Sequence, residues 1–148
     1  MILLTPELRF ALRANDINRR AAAIGGQAEP DPVPVVKFFN PLGAATWLAT
    51  ELYDDGDTLF GLADLGFGYP ELGCFSLSEM ASVRLAGGMG IERDLSFESI
   101  HPISAWAEWG AAPVRSFGLK PFSAAPPEVA TAPSFRPLAD DARRVLAA

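Results

Sequence analysis

Residues 58–79 constrain the fold more than any other part of the chain. Their sequence, TLFGLADLGFGYPELGCFSLSE, is typical of a strand, a glycine-rich corner, a second short extended segment and the start of a helix. The glycines around Pro70 permit backbone angles that other residues resist, so the chain is expected to turn sharply there. The preceding DDGD at 54–57 contains an Asp-Gly pair, which predicts a hairpin turn. We therefore expect a β-hairpin followed by a tight return.

Further segments carry the patterns of regular structure. Thr5 can cap a helix over 5–14, with Pro6 at the first helical position. The almost continuously apolar VPVVKFFN (33–40) predicts a central strand that is buried on both faces. ATWLATELYD (45–54) alternates with a period of two, which predicts a strand covered mainly on one side. The remaining predicted elements are helices at 77–84 and 103–111 and a strand at 91–97.

Length and composition favour one domain. The 148 residues are 49% apolar and 20% charged, which is enough for a single hydrophobic core. We predict an α+β fold over residues 1–111, a single domain with a mostly antiparallel sheet of four to five strands flanked by short helices. Residues 15–32 lose helical periodicity and are predicted as a loop insertion. Residues 112–148, rich in proline and alanine, are predicted as an extension that is mobile or draped over the domain, with a terminal helical turn at 138–147.

Several features predict a cytoplasmic protein that does not enter a membrane. The chain contains no run of about 18 apolar residues, the length that would span a bilayer. Its start, MILLTPELRF, lacks the basic flank and the cleavage site of a secretory signal. A single cysteine, Cys74, cannot form an internal disulfide.

The charge is concentrated in the middle of the chain. Residues 38–100 hold ten acidic residues against two basic ones, Arg84 and Arg93. Such a field repels nucleic-acid phosphates and favours basic partners. Binding of single-stranded nucleic acid stays open as an alternative through four N-terminal arginines, namely Arg9, Arg13, Arg19 and Arg20. The candidate acidic interaction surface consists of Asp54, Asp55, Asp57, Glu92 and Asp94.

A second candidate site centres on Asp64. This carboxylate follows Phe60 and Leu62 on one face of the predicted strand, where it needs a partner because burying it unpaired is costly. Arg93 stands among apolar neighbours and is the natural partner of Asp64 or Glu71. The candidate polar site therefore consists of Asp64, Glu71, Arg93, Lys37 and Asn40. These residues form either a ligand cleft or ion pairs that simply hold the corner in place.

Composition argues against several chemistries. His101 and Cys74 are the single histidine and cysteine, and neither lies in a nucleophilic motif. Two such residues cannot build a transition-metal site. Carboxylates at 64, 71, 92 and 94 offer oxygen ligands to Mg²⁺ or Ca²⁺, but their spacing matches no known loop. We predict no catalytic residues, no metal and no cofactor, and we favour binding over catalysis.

The motifs FNP, TWL, FGLADLGFG, PELG, SLSE and IERDLSF occur in this order after an opening TPEL. With them the chain resembles a bacterial domain-of-unknown-function family that is common on conjugative plasmids and integrated mobile elements. The resemblance covers roughly residues 2–8 and 33–109 and supplies no established reaction. It implies a mobile-element setting, in which accessory proteins often blunt host defences, some with acidic surfaces that imitate DNA.

These observations together give one leading expectation and two alternatives. The leading expectation is a small acidic accessory protein that binds a host or element-encoded protein, in the manner of anti-restriction or anti-CRISPR proteins. The first alternative is a small-ligand-binding or hydrolytic domain with a carboxylate and arginine cleft, and the second is the binding of single-stranded nucleic acid.

Overall fold

A computed structural model describes residues 1–111 of the chain. Its strands are β1 (Val36–Phe39), β2 (Thr46–Leu52), β3 (Thr58–Asp64), β4 (Glu71–Ser76) and β5 (Glu92–Arg93). Its helices are α1 (Pro6–Ile24), α2 (Leu77–Ser82) and α3 (Ile103–Ala111), with a short 3₁₀ turn at Ala86–Gly88. All strand pairs are antiparallel, in the order β4-β3-β2-β1-β5. The predicted α+β domain with an antiparallel sheet is confirmed.

The hairpin between β2 and β3 forms where the Asp-Gly pair predicts it. The Tyr53 amide donates to the Thr58 carbonyl at 2.8 Å, and Gly56 adopts a φ of 72° in the turn. Further along, the two strands approach closely at Gly61, where a Cβ atom would lie 1.8 Å from the Leu48 carbonyl oxygen. Only glycine fits there, because any side chain would collide with the backbone of the neighbouring strand.

Both faces of the sheet are covered. One apolar cluster includes Leu12 of α1 together with Phe38 and Leu59, and the other packs Trp106 of α3 against Leu62. β2 is the central strand and contributes to both clusters. The prediction that 45–54 is covered on one side is therefore wrong, because its alternating polar residues are buried as well. The segment 33–40, predicted as central, contains β1, which lies next to the edge strand β5.

Helix α1 is much longer than its predicted 5–14. Thr5 and Pro6 begin it as expected, with the Thr5 hydroxyl accepting a hydrogen bond from the Leu8 amide. The helix then continues to Ile24, so the predicted loop insertion at 15–32 is wrong over its first ten residues. Asn15 and Asp16 favour non-helical conformations in isolation, but here the Asn15 side chain donates to the Thr50 carbonyl on β2, and the Asp16 carboxylate accepts from Arg19 one turn further along α1.

The rest of that predicted loop is anchored to the sheet domain. The Asp31 carboxylate accepts hydrogen bonds from the amide and the hydroxyl of Ser104, near the start of α3. The Pro32 carbonyl accepts from the amide of Ile103 at 2.9 Å. The connection between α1 and β1 therefore caps the helix that covers the other face of the sheet.

The strand predicted at 91–97 is reduced to two residues. Glu92 and Arg93 pair with Phe39 and Phe38, and then the Asp94 carboxylate accepts hydrogen bonds from the amide and hydroxyl of Ser96. This local turn ends the strand. The predicted extension 112–148 and its terminal helical turn lie outside the described residues. None of the helices within residues 1–111 has the length and apolar character needed to cross a membrane.

The contact at Gly61 predicts a large difference between two glycine substitutions. Gly61→Ala should lower the free energy of unfolding by more than about 3 kcal/mol, because its methyl group meets backbone that cannot move without breaking the β2–β3 pairing. Gly56→Ala should lower it by about 1 kcal/mol, since its Cβ meets open space and only the positive φ is strained. Urea unfolding of both variants measures this. Equal losses would contradict the close approach.

Candidate functional site

The sheet order separates the members of the predicted polar site. Asp64 ends β3 and Glu71 begins β4, so these two carboxylates lie on neighbouring strands. Arg93 lies on β5, three strand positions away from β3, which corresponds to about 14 Å. Its guanidinium donates instead to the Leu3 carbonyl at 3.2 Å. The predicted convergence of Arg93 with the two carboxylates is therefore wrong.

The remaining members of that set make local contacts of their own. Asp64 accepts a hydrogen bond from the Gly66 amide at 2.8 Å, and Asn40 accepts one from the Leu42 amide at 2.9 Å. Lys37, which is nearly buried, forms an ion pair with Asp94 at 3.0 Å. Burial opposes the charge of Asp94, but hydrogen bonds from Ser96 and Lys37 outweigh it, so the pKa of Asp94 lies below its ordinary value. Lys37 thus forms its ion pair beside β5 rather than at the corner that contains Asp64.

The candidate acidic surface is divided between two ends of the sheet. Glu92 pairs with Phe39, and Phe39 with Thr46, so β5 lies at the end where β2 begins. Asp54, Asp55 and Asp57 lie in the hairpin turn at the opposite end of β2. These five acidic residues do not form one continuous surface.

Two of the hairpin carboxylates also have structural contacts. Asp55 accepts hydrogen bonds from the Thr58 hydroxyl and amide and from the Asp57 amide, which lower the pKa of Asp55. Asp57 accepts from the Ser76 hydroxyl and the Ser78 amide, both at 2.7 Å, and these bonds lower the pKa of Asp57. The Asp57 carboxylate therefore stabilises the start of α2, where the helix dipole favours an anion.

Three of the N-terminal arginines, considered above for the binding of single-stranded nucleic acid, contact the protein itself. Arg9 donates to the Gly56 carbonyl at 3.2 Å, and Arg13 donates to the Leu52 carbonyl at 2.9 Å. Arg19 forms an ion pair with Glu51 at 2.8 Å. These contacts occupy the guanidinium groups, so the geometry does not favour nucleic-acid binding by this helix.

A buried polar network, missed by the sequence analysis, lies between α1 and β2. Its centre is the fully buried carboxylate of Asp16, which forms ion pairs with Arg13 at 2.7 Å, Arg19 at 3.0 Å and Arg20 at 3.1 Å. Glu51 is also buried and binds Arg19. The spacing of residues in the sequence indicated this network, because the arginines stand three or four positions from Asp16, as neighbours on a helix surface do.

Tyr53 extends this network towards the sheet edge. The guanidinium groups of Arg19 and Arg20 each lie 5.7 Å from the centre of its ring, within the range of cation–π attraction. Its hydroxyl lies 3.6 Å from the Cys74 sulfur on β4. Burial raises the pKa of Tyr53. The ring therefore lies between the arginines and β4.

An apolar surface lies at the other side of the sheet, in residues 65–70 between β3 and β4. We call this segment the aromatic loop. Leu65 is 54% exposed, and Phe67 and Tyr69 are each 80% exposed. Between them Gly66 and Gly68 adopt φ values of 89° and 81°, which side chains resist. The glycines bend the chain so that the alternate apolar residues stand out from the sheet.

The aromatic loop borders a cleft of about 360 Å³, which we call the β4 cleft. Its lining residues are Ala63, Leu65, Phe67, Tyr69, Glu71, Gly73, Cys74 and Phe75. The lining residues on β3 and β4 include the small residues Ala63, Gly73 and Cys74, and the apolar residues of the aromatic loop also contribute to it. Glu71 is exposed and supplies the one carboxylate of the lining. The cleft is thus suited to apolar groups that carry a positive charge.

A second and smaller cleft of about 250 Å³ lies between the start of α1 and β5. Arg93 and Asp94 line it, but Asp94 is paired with Lys37 and Arg93 is bonded to Leu3, so both charged groups already have partners. In residues 1–111, no group of three or more histidine, cysteine, aspartate and glutamate side chains is arranged to hold a metal ion.

Comparison with known proteins places the chain in a family. The profile of the family described as "Protein of unknown function (DUF2958)" matches residues 3–114, about three quarters of the chain. The chain belongs to this family. The DUF2958 match includes every helix and strand described above, together with the aromatic loop and the β4 cleft. The comparisons with curated proteins and with solved structures gave no match.

The buried network predicts that two aspartates beside Arg20 in this DUF2958 chain differ greatly in their contribution to the free energy of unfolding. Asp16→Ala should lower the free energy of unfolding by about 3 kcal/mol, because it leaves three guanidinium groups facing one another without their shared carboxylate. Asp54→Ala should change it by less than about 0.5 kcal/mol, since that carboxylate is 74% exposed and 3.8 Å from Arg20. Urea unfolding at neutral pH compares them. Similar losses would show that burial of Asp16 does not matter.

Proposed function

We propose that this DUF2958 protein acts by binding a partner protein, and that the aromatic loop and the β4 cleft make the contact. The observation that carries the proposal is the exposure of Leu65, Phe67 and Tyr69 within five residues of one loop. Contiguous exposed apolar surface beside a cleft is typical of interaction sites. Phenylalanine and tyrosine are also enriched at protein interfaces, where they supply large contact area.

The exposed apolar residues on α1 are more widely spaced. Phe10, Ile17 and Ile24 stand seven residues apart along α1, about 10 Å between neighbours, and Ile100 precedes α3. Single exposed apolar side chains are normal on folded proteins. The aromatic loop differs from them because its residues alternate with glycines and border a cleft.

Charge indicates the kind of partner. Glu71 lies in the cleft lining, Asp64 ends the neighbouring strand, and residues 38–100 as a whole are strongly acidic. Electrostatic complementarity therefore favours a basic partner. The hairpin carboxylates add to this field from a distance, but the hydrogen bonds of Asp55 and Asp57 make them poor direct contacts.

The biological setting belongs to the same proposal. The resemblance to proteins of conjugative plasmids and integrated elements makes a host or element-encoded protein the expected partner. Counter-defence is the role that such a setting favours for a small acidic binding protein. In the present proposal an apolar loop within an acidic field makes the contact, rather than an acidic surface that imitates DNA.

Capture from nuclease-treated host extract tests the proposal. The full-length tagged protein should retain a stoichiometric partner, and the double variant Phe67→Ser with Tyr69→Ser should lose it by more than about tenfold, as expected for aromatic anchors at an interface. Phe10→Ser is the matched control, because Phe10 is 78% exposed on another element. It should retain the partner.

Two outcomes would contradict the proposal. If the double variant captures the same partner as the natural chain, the aromatic loop is not the contact. If the partner is lost only when Asp54, Asp55 and Asp57 are neutralised together, the hairpin is the contact instead. Circular dichroism and urea unfolding must show that the double variant is folded, which is expected because both side chains are mostly exposed.

A further inference from the structure

We infer that the partner binds by adding an extended strand to the free edge of β4, and that this strand carries basic side chains alternating with apolar ones. The inference rests on the proposed function and specifies how the contact is made. Three observations carry it, namely the open edge of β4, the position of the cleft beside that edge and the local charge.

β4 has the properties of a strand that can accept another. It lies at the edge of the sheet, and within the described part of the chain only β3 pairs with it. Its pairing is continuous from Thr58 with Ser76 to Ala63 with Glu71, without a bulge. The strand itself, ELGCFS, contains no lysine and no proline. Edge strands normally carry such features to prevent pairing with other chains. The one charge of β4 is Glu71 at its first position, so the strand can still pair with a segment that brings a positive charge there.

The opposite edge of the sheet is protected. β5 has two residues, and the turn at Asp94 ends it. The Arg93 amide and guanidinium contact the N-terminal residues Met1 and Leu3, which therefore lie beside this strand. A two-residue strand offers too few backbone groups to hold a partner. Strand addition is thus directed to β4.

The β4 cleft provides side-chain recognition along the same edge. Glu71, Gly73 and Phe75 stand at alternate positions of β4 and all line the cleft. A strand added about 4.8 Å from β4 would place every second side chain on that face. Those side chains would approach Phe67 and Tyr69, which also line the cleft. Backbone hydrogen bonds would supply affinity, and the cleft would select the sequence.

The negative charge beside β4 favours a basic segment as the strand that is added to its edge. A lysine or arginine on the added strand can pair with Glu71, and the exposed rings of Phe67 and Tyr69 favour a nearby cation. A second copy of this chain would bring its own Glu71 and a net charge of −6 to the same edge. Repulsion between like charges disfavours that pairing.

A peptide pair with identical composition tests strand addition. The probe is a short synthetic peptide of alternating arginine and valine, labelled with a fluorophore and titrated with the full-length chain. Two derivatives carry N-methyl groups on alternate amides, one set on each edge of the extended peptide. Only one set can face β4, so one derivative should bind more than about tenfold more weakly than the other, because its donors to β4 are removed. Equal affinities, or no binding of the parent peptide, would overturn the inference.

A charge exchange provides a second arm. Glu71→Lys should weaken the binding of the arginine–valine peptide and should strengthen the binding of the corresponding glutamate–valine peptide, since the exposed residue 71 lies in the cleft lining. Glu98→Lys, an exposed change beyond β5, is the matched control and should alter neither affinity by more than about twofold. An equal response to both substitutions would indicate a general charge effect and would contradict pairing at Glu71.

The two proposals fail in different ways. If the double variant of Phe67 and Tyr69 loses the captured partner while the two methylated peptides bind alike, protein binding by the loop stands and strand addition falls. If the partner is unaffected by the double variant, the proposed function falls as well. If sedimentation shows self-association that the double variant abolishes, the occupant is a second copy and the inference of a basic segment is overturned.

Discussion

The fold depends on how α1 completes the central strand. β1 pairs with β2 only as far as Ala49, which leaves the carbonyls of Thr50 and Leu52 without a strand partner. Asn15 and Arg13 of α1 donate to these two carbonyls at 2.8 and 2.9 Å and so replace the missing strand. Backbone groups that are buried without hydrogen bonds are costly, so this side of β2 requires the helix. Asp16 holds the arginines in place from within the same helix turn.

Because α1 completes β2 beside β1, the part of the sheet around β2 and β1 differs from the part around β3 and β4. Beside β2 and β1, a helix, ion pairs and the N-terminal residues satisfy the polar groups of the sheet. Beside β3 and β4, small residues line an open cleft, and the aromatic loop presents Phe67 and Tyr69 to solvent. Under the proposed function, stability and binding thus depend on different parts of the same small domain. A contact on β4 would leave the buried ion pairs undisturbed.

The sequence was sufficient for the parts of the fold that local chemistry determines. The Asp-Gly hairpin, the Thr5 cap of α1 and the fold class follow from turn residues, capping and periodicity. The failures concern residues whose role depends on distant partners. Asp16 interrupts an apolar pattern and resembled a loop residue. The spacing of its arginine neighbours was visible in the sequence, but its burial results only from the packing of α1 against β2. Arg93 was assigned to the wrong carboxylates because strand order cannot be derived from the spacing of residues along the chain.

Amide hydrogen exchange in the free, full-length protein tests the central claim most directly, which is that β4 has an open edge. Residues 71–76 should show alternation: the amides bonded to β3 should exchange slowly, and the intervening amides, which face outward, should exchange at rates close to those of an open strand. NMR resolves this residue by residue. Slow exchange at all of these amides would show that another segment or another chain already covers the edge, and would contradict the account.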